Sequence, residues 1–197
     1  IFLTTYIETA YAKEEKKLRV LCTFFPLKVF ALNVAKGAQN VVIETLLPPN
    51  RGPHNYSLSP GDVRKIVRAD IYLANGLGLE SFLERPIKNI NPKLKIFILT
   101  RGIKPIPIGA GGETQYDTHR GIFGIPGEYN EHAWVSPLQA IKYVMNIRDS
   151  LIKIDEPNSH LYIKNAEEYI SKLRSLYEET RQAVKTFKST KIVTQHR

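Results

Sequence analysis

Four short apolar runs, residues 18–24 (LRVLCTF), 41–47, 70–74 (DIYLA) and 95–100 (KIFILT), are separated by stretches with helical spacing. This alternation constrains the fold more than any other feature. Buried strands joined through helices give a parallel sheet covered on both faces. Pro26 opens the first helical pattern, with Leu27, Phe30, Ala31 and Val34 on one face, and Gly37 stops it. Ser59-Pro60 places a capping residue and a first-turn proline before a second helix, whose inner face reads as Val63, Ile66 and Val67. A third helix is expected over 79–90, kinked at Pro86, and Ser136-Pro137 starts a fourth that runs to about Ile154.

From Ser159 the apolar positions Tyr162, Ala166, Tyr169, Leu173, Leu176 and Val184 recur at helical steps. The predicted helix is roughly 40 Å long at 1.5 Å per residue, enough to span a whole domain edge. A fifth strand is expected over 191–196. With no partner strand after it, the chain reads as a fragment whose second half is missing. The expected division is 1–12 as a signal-peptide remnant, 13–157 as an α/β lobe, 158–189 as a long linker helix and 190–197 as the first strand of a truncated second lobe.

Composition removes several classes. Net charge is +9, but basic residues are scattered, with no run of about five or six. This is a solvated surface rather than a nucleic-acid face. A single cysteine forbids an intrachain disulfide framework or a Cys-rich zinc module, and Cys22 reads as a buried strand thiol. No stretch approaches the roughly eighteen apolar residues of a membrane span. Ile1-Phe2-Leu3 and Ala10-Tyr11-Ala12, followed by charge from Lys13, read as the tail of a secretory signal. A soluble, exported protein cleaved near Ala12 is expected.

The chemistry lies in the histidines. Ligands of open α/β sheets gather beyond the carboxyl ends of the strands. His54 lies in a proline-stiffened loop after the second strand, His132 ahead of the Ser136 helix, and His196 at the end of the last strand. Separations of 78 and 64 residues rule out a local finger, so the fold itself must assemble any shared site. Three imidazoles with one further position form a zinc arrangement. At this level, three convergent ligands and three unrelated histidines stand side by side. His160 reads as structural or exposed, and His119 as an exposed loop residue or a transient ligand. A zinc-dependent hydrolase is an alternative, with Glu131 the only adjacent base and no HExxH helix. The sequence is silent on an adhesin-like surface role. The long 101–130 segment, rich in Gly and Pro, reads as a lid or mobile element.

Several segments resemble the metal-ion solute-binding proteins of ABC importers, the ZnuA/TroA-like family. Gly52-Pro53-His54-Asn55-Tyr56, Leu58-Ser59-Pro60-Gly61-Asp62, Ala69-Asp70 and Asn75-Gly76-Leu77-Gly78-Leu79-Glu80 are similar to its first-ligand segment. His132-Ala133-Trp134-Val135-Ser136-Pro137 is similar to its second, and Ile192-Val193-Thr194-Gln195-His196 to the start of its third. The 155–173 region, with Tyr162, Asn165-Ala166 and Tyr169, is similar to its linker helix. The resemblance implies two α/β lobes joined by a rigid helix, one metal in the cleft, delivery to a membrane permease, and no catalysis. It implies that His54, His132 and His196 are metal ligands, with a fourth, Asp or Glu, beyond Arg197.

Gly52 and Asn130-Glu131 depart from the family's common Asp and Asp-Pro, so the hydrogen bonding behind the ligands is expected to differ. Glu131 reads as solvated. Imidazole at position 196 favours zinc, with manganese or iron behind it. A monomer is expected, with metal affinity falling below about pH 6 as imidazoles protonate.

Overall fold

The computed structural model describes residues 17–49, 51, 56–108, 121–125 and 127–189. The signal remnant expected over 1–12, the fifth strand over 191–196, His54, His119 and His196 lie outside these residues. Strands β1 (Leu18–Cys22), β2 (Val41–Thr45), β3 (Ile71–Ala74) and β4 (Lys95–Ile98) form one sheet in the order β2-β1-β3-β4. All three pairings are parallel, with Val20 opposite both Ile43 and Ile71, and Leu73 opposite Phe97. The helices are α1 (Phe25–Val34), α2 (Pro60–Arg68), α3 (Glu84–Ile90), α4 (Pro137–Ile154) and α5 (Ser159–Lys185).

The apolar runs explain this arrangement. Val20, Leu21, Cys22 and every residue of β3 are buried, as expected of strands covered on both faces. Helix α1 packs with α4 and α5, while α2 packs with β1 and α3, so helices cover both faces of the sheet. The chain leaves β1 toward β2 on one side and returns past it to β3 on the other. The carboxyl ends of β1 and β3 therefore flank the topological switch point, where such sheets open a crevice. Cys22 sits fully inside, and burial holds its thiol well above the usual range, as suits an inert strand cysteine.

Three local expectations need correction: the inner face of α2, the start of the third helix and the kink at Pro86. The inner face of α2 is Ile66 with Asp62, whereas Val67 is 57% exposed. Asp62 turns inward because it closes a capping box: its carboxylate accepts from the Ser59 backbone N–H and hydroxyl, from Tyr56 Oη and from Lys65 Nζ. Burial opposes its charge, but these donors outweigh burial and hold the carboxyl down at about 2. Replacing Ser59 by alanine is expected to lower stability by about 1 kcal/mol. Because the folded Asp62 is more acidic than the unfolded one, its contribution is present above about pH 4 and lost as pH falls toward 2. Urea unfolding of wild type and Ser59→Ala between pH 2 and 6 checks both.

The third helix begins at Glu84 rather than 79, after a 3₁₀ turn at Ser81–Leu83. Pro86 therefore falls in its first turn, where no intrahelical N–H bond is required, rather than inside a longer helix. Ser136 precedes α4 without a side-chain cap bond. The distal part of α5 is open: Leu176 is 50% and Val184 45% exposed, while Tyr162, Ala166 and Leu173 are buried. The apolar stripe outruns the described body of the lobe, and among the described residues nothing covers its far end.

Helix α5 is fixed at its start. The Tyr162 hydroxyl donates to Asp155 Oδ2. Asn165 Nδ2 donates to the carbonyls of Val34 at 2.9 Å and Lys36 at 2.8 Å, satisfying acceptors left over at the end of α1.

Candidate metal centre

The described part of the candidate site is built over the carboxyl ends of β1 and β3. Both flanks of the 52–55 stretch are tied to α2: Lys65 Nζ donates to the Leu46 carbonyl at 3.1 Å, and Tyr56 is held by Asp62. Leu46 and Leu47 extend the ladder with β1 by donating to the carbonyls of Cys22 and Thr23. The described residues on either side of 52–55 are thus anchored to α2.

His132 is half-buried at the end of the long connection after β4. Of that connection, residues 101–108, 121–125 and 127–130 are described. Its described flanks form a short antiparallel ladder, with Ile108 N–H donating to the Glu128 carbonyl, Asn130 N–H to the Ile106 carbonyl, and a bridge between Pro107 and Tyr129. Gly78 N–H also donates to the Phe123 carbonyl. The ladder returns the chain to the sheet just before His132.

Two observations orient the imidazole. Its Nδ1 lies 3.1 Å from Asn130 Oδ1, which also accepts the His132 backbone N–H at 2.9 Å. An amide oxygen is an acceptor, so this contact favours the tautomer in which Nδ1 donates. The ring then packs against Trp134 at a centroid distance of 5.1 Å, and Trp134 meets Phe24, just past β1, edge-on at 4.6 Å. Asn130, where the family commonly has another residue, thus supplies an orienting acceptor.

Beneath this lies a buried polar network that the sequence reading did not identify as a unit. Gly76, Leu77 and Gly78 all have positive φ (88°, 57° and 90°), which folds the chain back so that Glu80 returns under β3. A Cβ at Gly76 would come within 2.5 Å of Ile98 Cγ2, so both space and backbone demand glycine there. Glu80 accepts from the N–H groups of Asn75 (2.7 Å) and Gly76 (2.9 Å) and from Thr23 Oγ1 (2.8 Å). Thr23 Oγ1 also meets Tyr72 Oη at 2.8 Å. Burial raises the Glu80 carboxyl to about 7 despite the three donors. The available signal was a polar pair, Asn75 and Glu80, closing an otherwise apolar ten-residue stretch.

Among the described residues, no group of three His, Cys, Asp or Glu side chains forms a metal cluster, and His132 is the one expected ligand they include. His160 is exposed on α5, as expected. For Glu131, the backbone carbonyl has a specific role, accepting from Asn75 Nδ2 at 3.0 Å.

A parallel α/β lobe, with an oriented imidazole in a loop tied to the end of β3, differs in form from a finger or a helical metal bundle. Comparison with known proteins gives the family. Residues 20–197 match the family described as ZnuA, zinc-uptake complex component A, periplasmic. The chain belongs to this family.

The high-affinity zinc uptake system protein ZnuA of Bacillus subtilis is 30% identical over 181 residues, 91% of this chain and 56% of that protein. The iron-binding protein YfeA of Yersinia pestis is 32% identical over 161 residues, 82% of this chain and 47% of that protein. Among solved structures, the Mn-bound periplasmic metal binding protein of Candidatus Liberibacter asiaticus superposes with a TM-score of 0.73 at 31% identity, covering 85% of this chain and 57% of that one. Zn(II)-bound AdcA of Streptococcus pneumoniae gives 0.73 at 29% identity, covering 91% and 35%. The chain thus spans about half the length of the first two relatives. These likenesses confirm the expected parallel-sheet lobe with its long helix.

Proposed function

We propose that this chain forms the first metal-binding lobe and linker helix of an extracytoplasmic solute-binding protein, which captures zinc and delivers it to the permease of an ABC importer. The single observation carrying this reading is His132. Its ring is oriented by the Nδ1 contact to Asn130 and by packing against Trp134, in a loop that Asn75 ties to the end of β3. The family match and the zinc-, manganese- and iron-binding relatives support a divalent cation as cargo.

In this reading His54, His132 and His196 bind zinc, and a carboxylate beyond Arg197 completes the tetrahedron. Softness and the divalent affinity order favour zinc over manganese or iron at three imidazoles. Residues 13–157 act as the lobe, 158–189 as the linker and 190–197 as the entry to the second lobe. The exposed Leu176 and Val184 of α5, with Phe187 just after it, support a further body of protein packing there. Export by a signal cleaved near Ala12 places capture outside the cytoplasmic membrane. The lobe performs no chemistry on the ion. It presents lone pairs, and α5 limits bending while the ion is held.

Calorimetric zinc titration of the full-length protein beside the 197-residue form tests this. Full-length protein is expected to bind one zinc tightly, and the shorter form weakly or not at all. Tight binding by the shorter form contradicts the required second-lobe carboxylate. Zinc-dependent turnover of ester or peptide substrates, lost in His54→Ala, replaces the transport reading with the hydrolase.

A further inference from the structure

We propose that Asn75 and Tyr143 are positioning residues that set the direction in which His132 presents its imidazole. This rests on His132 being a metal ligand.

The argument starts from one peptide unit, the bond joining Glu131 to His132. Both of its polar groups are held. The Glu131 carbonyl accepts from Asn75 Nδ2 at 3.0 Å, and the His132 N–H donates to Asn130 Oδ1 at 2.9 Å. A peptide is planar, so holding its C=O on one side and its N–H on the other fixes the rotation of the whole plane. That rotation determines the direction in which the His132 Cβ leaves the backbone.

Asn75 is itself overdetermined. It is fully buried, and its Nδ2 donates to the carbonyls of Gly76 and Glu131 while its Oδ1 accepts from Tyr143 Oη at 2.5 Å. Flipping the amide would set its oxygen against two carbonyl oxygens, so only one orientation is tolerated. Its backbone N–H is on Glu80, and its backbone carbonyl accepts from Thr100. Tyr143, buried on α4, reaches back to clamp the side chain and packs against Phe30. Two large buried polar residues from separate elements thus converge on the peptide immediately before the ligand. Groups behind a ligand that fix its orientation typically change metal affinity 10–100-fold when lost.

The test uses full-length protein, with zinc affinity read by chelator competition and geometry read from the cobalt(II) visible spectrum. Four variants are compared: Asn75→Leu, Tyr143→Phe, His132→Ala and Leu151→Ala. Leu151 is buried on the far part of α4 and serves as a destabilised control that leaves the 131–132 peptide untouched.

Asn75→Leu is expected to lose 10–100-fold in affinity with an altered cobalt spectrum, Tyr143→Phe to lose less in the same direction, and Leu151→Ala to stay within about twofold of wild type. A folded Asn75→Leu with wild-type affinity and spectrum overturns the proposal. If that variant does not fold, an unchanged Tyr143→Phe overturns it alone, as does an equal loss in Leu151→Ala. His132→Ala binding like wild type overturns the ligand reading instead, so the two failures are distinct.

Discussion

Replacing His132 by alanine in the full-length protein is expected to weaken zinc binding by more than about 100-fold while the lobe stays folded. The magnitude follows by comparison: partners behind a ligand are worth 10–100-fold, and removing a ligand itself exceeds that. Stability should change little. The residue is half-buried, and its ring packs against Trp134, an aromatic contact worth about 1 kcal/mol. Trp134 keeps its edge-on contact with Phe24, so the loop remains seated. Chelator competition measures the binding and far-UV circular dichroism the fold. Loss of binding together with loss of fold makes His132 structural.

Glu80→Ala is expected to have the opposite profile, costing about 3–5 kcal/mol of stability. The substitution strips an acceptor from three buried donors, Asn75 N–H, Gly76 N–H and Thr23 Oγ1. Each donor left without a partner costs about 1–3 kcal/mol, and the losses overlap because all three meet in one pocket. Glu80→Gln keeps one acceptor oxygen and should cost less.

The two Glu80 variants also separate a pH effect. Burial lifts the folded carboxyl from 4.5 to about 7, so the native state binds this proton more tightly than the unfolded chain. The resulting stabilisation is full below about pH 4.5 and is lost as pH rises through about 7. Wild type should therefore lose stability relative to Glu80→Gln between pH 5 and 7.5. Urea unfolding over that range measures it, and a constant difference contradicts it.

The legible parts of the fold were those decided by local pattern. β1 and β3 were readable because continuous apolar runs permit little but buried strands, and α1 because Pro26 and Gly37 bound its stripe. α3 was misplaced because Glu80, which reads as a helical residue, is recruited by backbone N–H groups at Asn75 and Gly76. Spacing alone turns Val67 inward, because it cannot reveal that Asp62 is drawn in by its donors. Leu176 and Val184 fit the α5 stripe, but periodicity does not say where the covering body ends.

The candidate site divides in the same way. His132 was visible from its place at the end of a loop and before a helix. Its supporting partners were not, because Asn75 meets Glu131 across 56 residues, Tyr143 meets Asn75 across 68, and Thr23 meets Glu80 across 57. Such pairs exist only once the sheet has formed.

The most direct measurement is nitrogen NMR of histidine rings in the zinc-saturated full-length protein. The account predicts that the rings of His54, His132 and His196 stop titrating together at one equivalent of zinc, with His132 bound through Nε2 and its Nδ1 still protonated toward Asn130. A His132 ring that titrates freely while the protein is zinc-saturated contradicts it.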